Sequence, residues 1–322
     1  MHLLLSFLIL VFSNLAQAAN ILVIESYHQE LPWVQDNSRG LKSVLGNQNQ
    51  LEYLYLDTKR IPAENHPAQA QKAWQHFIEV KPDLVIICDD DAINLLAHRI
   101  ARHGTPVVYL GMNSNPRQNG TYGSTNITGV LERPLLKRNI VEMSALLGSP
   151  QKALVLFDDS AVSKTALRDN FGNVTSWQLN KLRVDLQQTD SYPHWQELIR
   201  TARAEGYEMI LIGLYHTLRD QNGNYIDTDE AIRWAAKQSN VPLFGFWDFS
   251  VGPQKAIGGL VMSGYEQGAT AGAMANELLQ GKTAKALTPR IASRGEYLFS
   301  HSGMSRWKLS PPYEQTNILW VE

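Results

Sequence analysis

Short apolar runs alternate with stretches of helical periodicity along most of this chain, and that alternation leaves few folds open. ILVIES (21–26), LEYLYLD (51–57), DLVIIC (83–88) and PVVYLG (106–111) are separated by helical patterns at about 33–45, 68–80 and 91–103. Strands of this length interleaved with helices build βαβ units and a parallel sheet. The runs are apolar throughout instead of alternating with polar residues. That is what a strand needs when helices cover both faces of its sheet.

A polar, Gly/Asn-rich stretch at 113–126 interrupts the pattern, which then starts again at ITGV (127–130). Helices are expected at about 134–147, 161–171, 193–205 and 229–239. Strands are expected at ALVLF (153–157), Leu182–Leu186, MILIGL (209–214) and PLFGF (242–246), with 175–181 unassigned. The expected fold class is therefore α/β, with two doubly wound parallel-sheet lobes joined by a three-crossing hinge near 127, 248 and 283. The first lobe takes residues 19–126 plus a helix at 266–281, and the second takes 127–248. Residues 249–265 and 282–322 form the crossover and C-terminal segments. The 266–281 helix is assigned back to the first lobe because Gly268, Ala269, Ala271, Gly272, Ala273 and Ala275 give it a face suited to close packing.

Residues 1–18 carry an apolar block from Leu3 to Phe12 and then Ala16-Gln17-Ala18, the short core and small-residue cleavage site of a secretory signal peptide. No later segment approaches the roughly 18 apolar residues of a membrane span. Export to the periplasm is expected. The only cysteine, Cys88, lies inside LVIIC, so no internal disulfide can form. A net charge of −2 spread over 322 residues, with no Lys/Arg run, argues against a nucleic-acid surface.

In open parallel sheets, ligands bind beyond the carboxyl ends of the strands, where helix N-termini also point. The residues there are Ser26, Tyr27 and His28, with Trp33 close behind. Next come Asp89, Asp90 and Asp91, then Met112, Asn113 and Ser114. In the second half they are Asp158, Asp159 and Ser160, then Tyr215 and His216, then Trp247, Asp248 and Phe249. Aromatics offer flat apolar walls, and an Asp can pair with an amine. The same Asp and Ser residues are equally suited to capping helices.

The stretches ESYHQELPWVQDNSRGL, YLDTKRI, KPDLVIICDDDAINLLA, TPVVYLGMN, NITGVLE and GYEQGATAGAMANELLQGK resemble the substrate-binding family of ABC transporters, with the type I periplasmic-binding fold. The combination SYH…PW, DTKR and DD-A is similar to the subgroup that serves as extracytoplasmic input to sensor kinases and cyclases. The mix of aromatics, carboxylates and hydroxyls after the strands suits an amino acid or amine, and the resemblance implies capture of such a small polar ligand between the lobes, with a monomer expected. The partner would be an ABC permease or a membrane-bound sensor kinase or cyclase. It places ligand contacts at Tyr27, His28, Asp90, Asn113, Thr128, Asp158, Tyr215 and Trp247, with a hinge at Thr128-Gly129. No catalytic motif and no metal-ligand spacing of histidines is found in the sequence, so no cofactor, metal or catalytic residue is expected. Where relatives carry an Asn-containing strand near the C-terminus, this chain has Ser300-His301.

One enzyme reading competes. LVIICDDD resembles the nucleophile strand of Mg²⁺-dependent haloacid-dehalogenase-like phosphatases, in which the carboxylates of Asp89–Asp91 would hold metal and attack phosphorus. Ala92-Ile93 departs from that pattern, as does its place on the third strand. Hydrolase, zincin and P-loop signatures are absent from the sequence.

Overall fold

The computed structural model describes residues 18–292, 295–311 and 318–322. The export reading rests on residues 1–18, nearly all of them outside that range. Among the described residues no helix is long and apolar enough to cross a membrane.

The first sheet forms from β1 (Asn20–Glu25), β2 (Gln50–Tyr55), β3 (Leu84–Cys88), β4 (Val107–Met112) and β5 (Ile127–Leu131). Helices α1 (Pro32–Leu45), α2 (His66–Val80), α3 (Asp89–Ala92) and α4 (His98–Arg102) cover it, with a π-helical segment at Ile93–Ala97 joining the last two. The second sheet is built from β6 (Lys152–Phe157), β7 (Ser176–Leu179), β8 (Leu182–Gln188), β9 (Met209–Ile212) and β10 (Leu243–Gly245). Its helices are α5 (Leu136–Leu146), α6 (Ala161–Phe171), α7 (Tyr192–Thr201) and α8 (Thr228–Gln238). The remaining elements are β11 (Gly258–Val261), α9 (Gly264–Leu279), β12 (Arg290–Ile291), β13 (Glu296–Ser300), α10 (His301–Trp307) and β14 (Ile318–Val321).

Strand order in the first sheet is β12-β5-β4-β3-β1-β2, and in the second β10-β9-β6-β8-β7. A third, small sheet runs β11-β13-β14. All pairings in the first sheet are parallel. β3 and β4 are buried at every position, as their unbroken apolar sequences require, whereas β2 at the edge is half-exposed. The unassigned stretch at 175–181 contains β7, which pairs antiparallel with β8. Its exposed–half-buried alternation marks it as an edge strand with one face to solvent.

The position of β5 corrects the expected hinge. Residues 127–131 complete the first sheet beside β4, so the second lobe does not begin at 127 and Thr128-Gly129 is not the crossing. Thr128 Oγ1 donates to the Leu287 carbonyl at 2.7 Å inside that framework. The chain leaves the first sheet after Leu131, returns after Val261 into α9, and leaves again after Ile291, whose strand pairs with β5. These points replace 127, 248 and 283. Single apolar strands look alike in sequence, and only pairing reveals which sheet takes them.

Helix α9 packs along α1 and over β3, β4 and β5. Its Ala271, Met274, Ala275 and Leu278 join Ile21, Val23 and Ile86 in one buried cluster. The approach to α1 is close enough to dictate residue type. A Cβ on Gly268 would lie 2.1 Å from the Asn37 carbonyl oxygen, and one on Gly40 would lie 2.1 Å from that of Tyr265.

Candidate functional site

The carboxyl ends of the parallel strands in both sheets face one narrow cavity. The first half contributes Tyr27, Trp33, Lys59, Asp89 and Asn113, and Glu132 stands at the start of the crossing. The second half contributes Val162, Leu214, His216, Trp247 and Phe249. The space left free between these side chains is about 20 Å³, room for little more than one water molecule, so a ligand needs the two halves to part.

Aromatic rings build much of the wall. Phe249 stacks on Trp247 with centroids 6.3 Å apart, meets Trp33 edge-on at 6.5 Å, and meets the His216 ring at 4.9 Å. Trp33 comes from α1, opened by Pro32 at its first turn, where a missing N–H costs no hydrogen bond. Rings from both halves thus form one apolar surface.

The charged groups sit among these rings. Lys59, on the loop after β2, places its ammonium 3.9 Å from the Tyr27 ring centroid. It has no ion-pair partner within 4 Å among the described residues. Burial lowers its pKa, while Asp158, Asp89 and Glu132 pull the other way. Glu132 is 4 % exposed and holds two donors: Trp247 Nε1 at 2.7 Å on Oε1 and Asn113 Nδ2 at 2.8 Å on Oε2. Burial still pushes its carboxyl up to about 7. His216 is kept neutral by burial and by the positive charge of Lys59, and its Nδ1 has no partner.

Asp89 has an unusual backbone. It follows β3 directly and takes φ +64, the left-handed region that a non-glycine residue enters at a cost of order 1–3 kcal/mol. Trp33 Nε1 donates to its Oδ1 at 3.1 Å, while Oδ2 is buried with no partner. Gly111, at φ +67 on the neighbouring strand, leaves room for it: a Cβ there would stand 2.6 Å from Asp89 Oδ1. Burial and the charges of Glu132 and Glu25 raise the Asp89 pKa well above the carboxylate range.

Of the residues assigned from sequence, Tyr27, Asn113 and Trp247 line the cavity. The others lie outside its lining. Asp90 accepts the backbone N–H groups of Asn113 at 2.9 Å and Ser114 at 3.0 Å, fixing the loop after β4. Asp158 accepts the Ser160 hydroxyl at 2.7 Å, the Ser163 hydroxyl, and the N–H groups of His216 at 2.8 Å and Thr217 at 3.2 Å. Both carboxylates are spent on loop geometry. His28 lies 3.5 Å from Asp57, and Tyr215 is buried beside Phe249. Asp91 accepts the Thr58 hydroxyl at 2.6 Å. The three consecutive carboxylates therefore turn to three different partners.

Lys59 and Glu132 were not picked out from sequence, although DTKR and NITGVLE contain them. Asp89 stood among the loop residues beyond β3 and in the phosphatase reading, but Asp90 was taken as the ligand contact. The hint available was that three Asp residues follow one strand, more than a helix cap requires.

No family model and no curated protein matches the sequence. Solved structures do match. An ABC domain from Streptococcus pneumoniae, in complex with L-Trp, superposes with a TM-score of 0.67 at 15% identity, over 94% of this chain and 100% of that one. A substrate-binding protein with adhesive properties from Clostridium difficile, in its ligand-free open form, gives 0.65 at 12% identity over 95% and 99%. An ABC transporter solute-binding protein from Clostridium phytofermentas with bound L-rhamnose gives 0.52 at 16% identity over 83% of each chain. The fold is the two-lobed type I periplasmic-binding fold.

Proposed function

We propose that this chain is an exported solute-binding protein that captures an amino acid in the cavity between its two halves. The observation that carries the reading is Lys59, a largely enclosed ammonium facing the cavity over Tyr27 with no ion-pair partner within 4 Å among the described residues. Such a cation is satisfied by an anionic group on a ligand, and charge-assisted pairs of this kind are the strong ones. The rings of Trp33, Trp247 and Phe249 supply an apolar wall for the body of the ligand. An amine lacking a carboxylate would meet Lys59 with like charge, so the amino-acid half of the original expectation is favoured over the amine half. The solved structures with L-Trp and with L-rhamnose support small-solute capture on this fold.

Delivery to an ABC permease is the first receiver proposed, and the likeness to ABC-transporter solute-binding proteins supports it. Presentation to a membrane sensor kinase or cyclase is the second receiver. The motifs that suggested it, SYH…PW and DTKR, supply Tyr27, Trp33 and Lys59 to the cavity wall. A thermal-shift screen of the twenty amino acids on purified protein tests the reading. At least one should raise Tm, and Lys59→Met should remove that rise. A ligand at 100 times its Kd stabilises by about 2.7 kcal/mol, well within range of a melt. No rise with any amino acid, or an unchanged rise in Lys59→Met, overturns it.

A further inference from the structure

We propose that Asp89 is the receptor for the cationic group of the ligand, so that the cavity recognises a zwitterion by holding its two charges on opposite supports, Lys59 and Asp89. The inference rests on the reading that the cavity captures an amino acid.

Three observations point to Asp89 among the acidic residues near the cavity. Its Oδ2 is buried and without a partner, although the side chain is only 3 % exposed and lines the cavity. The other candidates are engaged on both oxygens: Glu132 by Trp247 and Asn113, Asp90 by two backbone N–H groups, and Asp158 by hydroxyls and backbone N–H groups. A buried acceptor left unsatisfied is expensive, and native proteins retain such groups where a ligand completes them.

The second observation is how Asp89 is held. The left-handed backbone, the Trp33 indole on Oδ1 and the absence of a side chain at Gly111 fix one oxygen and leave the other free. Three local features converge on orienting a single carboxyl, an investment that helix capping does not need. Third, Asp89 and Lys59 line one cavity yet stay more than 4 Å apart, since no ion pair joins them. No contact joins them, and a molecule with both charges can bridge them once the halves part to admit it.

Matched ligands test this directly. Titration calorimetry compares L-tryptophan with tryptamine, which lacks the carboxylate, and indole-3-propionate, which lacks the ammonium. If another amino acid ranks first in the thermal-shift screen, its own decarboxylated and deaminated analogues take their place. Wild type should prefer the amino acid to either analogue by about tenfold or more, roughly 1.4 kcal/mol. Asp89→Asn keeps the shape and the Trp33 bond. It should erase the preference over the deaminated acid while retaining the preference over the amine. Lys59→Met should do the reverse. Because the wild-type comparison needs no variant, a folding defect in Asp89→Asn does not decide the matter. A wild type that binds the amino acid and its deaminated analogue equally overturns the assignment of Asp89, as does an Asp89→Asn variant with full discrimination. Failure of every amino acid to bind overturns the amino-acid reading itself.

Discussion

The indole nitrogen of Trp247 donates to Glu132 Oε1 across 2.7 Å, joining the segment that follows β10 to the one that follows β5. Trp247 is 1 % exposed and also packs on Phe157 and Phe249, so it is both a wall of the cavity and a pin between the two halves. Replacing it with Phe keeps the ring contacts and leaves a buried carboxyl oxygen short of its donor. Trp247→Phe should lower stability by about 1–3 kcal/mol. Trp247→Ala, which also opens a cavity, should cost about 3–5 kcal/mol. Urea denaturation of both variants checks the order, and a Trp247→Phe variant as stable as wild type would remove the pin from the account.

Gly111→Ala should damage the site more than the fold. The added methyl meets Asp89 Oδ1 at 2.6 Å and sits on a backbone at φ +67. Strain of this kind is of order 1–3 kcal/mol. Part of the relief has to come from Asp89 moving. The expected result is a modest fall in Tm with a larger fall in amino-acid affinity. An alanine variant with wild-type affinity would show that Asp89 has more latitude than its surroundings suggest.

Stability should decline as pH rises from weakly acid to weakly alkaline. Burial raises Glu25 to about 8, Glu132 to about 7 and Asp248 to about 7, from 4.5, 4.5 and 3.8. A carboxyl with a raised native pKa binds its proton more tightly folded than unfolded. Its contribution to stability is therefore full below the unfolded pKa and lost as pH climbs through the native one. Tm should be highest near about pH 5 and lower at about pH 8.5, and Glu25→Gln should flatten the upper part of that slope. A Tm that rises over this window contradicts the burial of these groups.

Asp158→Asn and Asp90→Asn should act on loops. Asp158 gathers donors from β6–α6 and from the segment after β9, so its loss unties two loops. A drop of about 2–3 kcal/mol is expected for Asp158 and about 1–2 for Asp90. Affinity per folded molecule should change far less than in Asp89→Asn. Calorimetric binding alongside denaturation separates the two effects, and loss of binding at unchanged stability would return these residues to the ligand.

Ligand entry requires the halves to part, because Tyr27, Trp33, Asp89, His216 and Trp247 are all buried around the cavity. Closure by hinge motion is the general behaviour of periplasmic binding proteins. Small-angle scattering should show a smaller radius of gyration once a stabilising amino acid is added. An unchanged radius would rule out hinged entry.

The alternation of strands and helices was legible because a parallel sheet covered on both faces demands apolar strands, and LVIIC could serve no other purpose. The sheet membership of ITGVL was not, since β5 is as apolar as a strand that opens a new sheet. The edge strand β7 escaped because four residues of exposed alternation carry little pattern. At the site, the loops read from sequence are among those that reach the cavity, but most of the side chains chosen within them lie outside its lining. Asp90 was taken where Asp89 lines the cavity, because a left-handed residue at the end of β3 turns the side chain in a direction that regular geometry does not foresee. Lys59 was passed over because a lysine in a polar loop reads as solvated until Tyr27 and the second half are seen to enclose it.

The glycine seam between α1 and α9 has a consequence for how the molecule comes into being. Asn37 and Gly268 touch although more than two hundred residues separate them in the chain. The face of the first sheet shared by α1 and α9 cannot be fully covered until α9 has emerged, after the whole of the second sheet. Contacts of such long range are slow to form. The N-terminal half should therefore be the last to mature, holding one apolar face of β3 and β4 incompletely covered until the C-terminal segments are made.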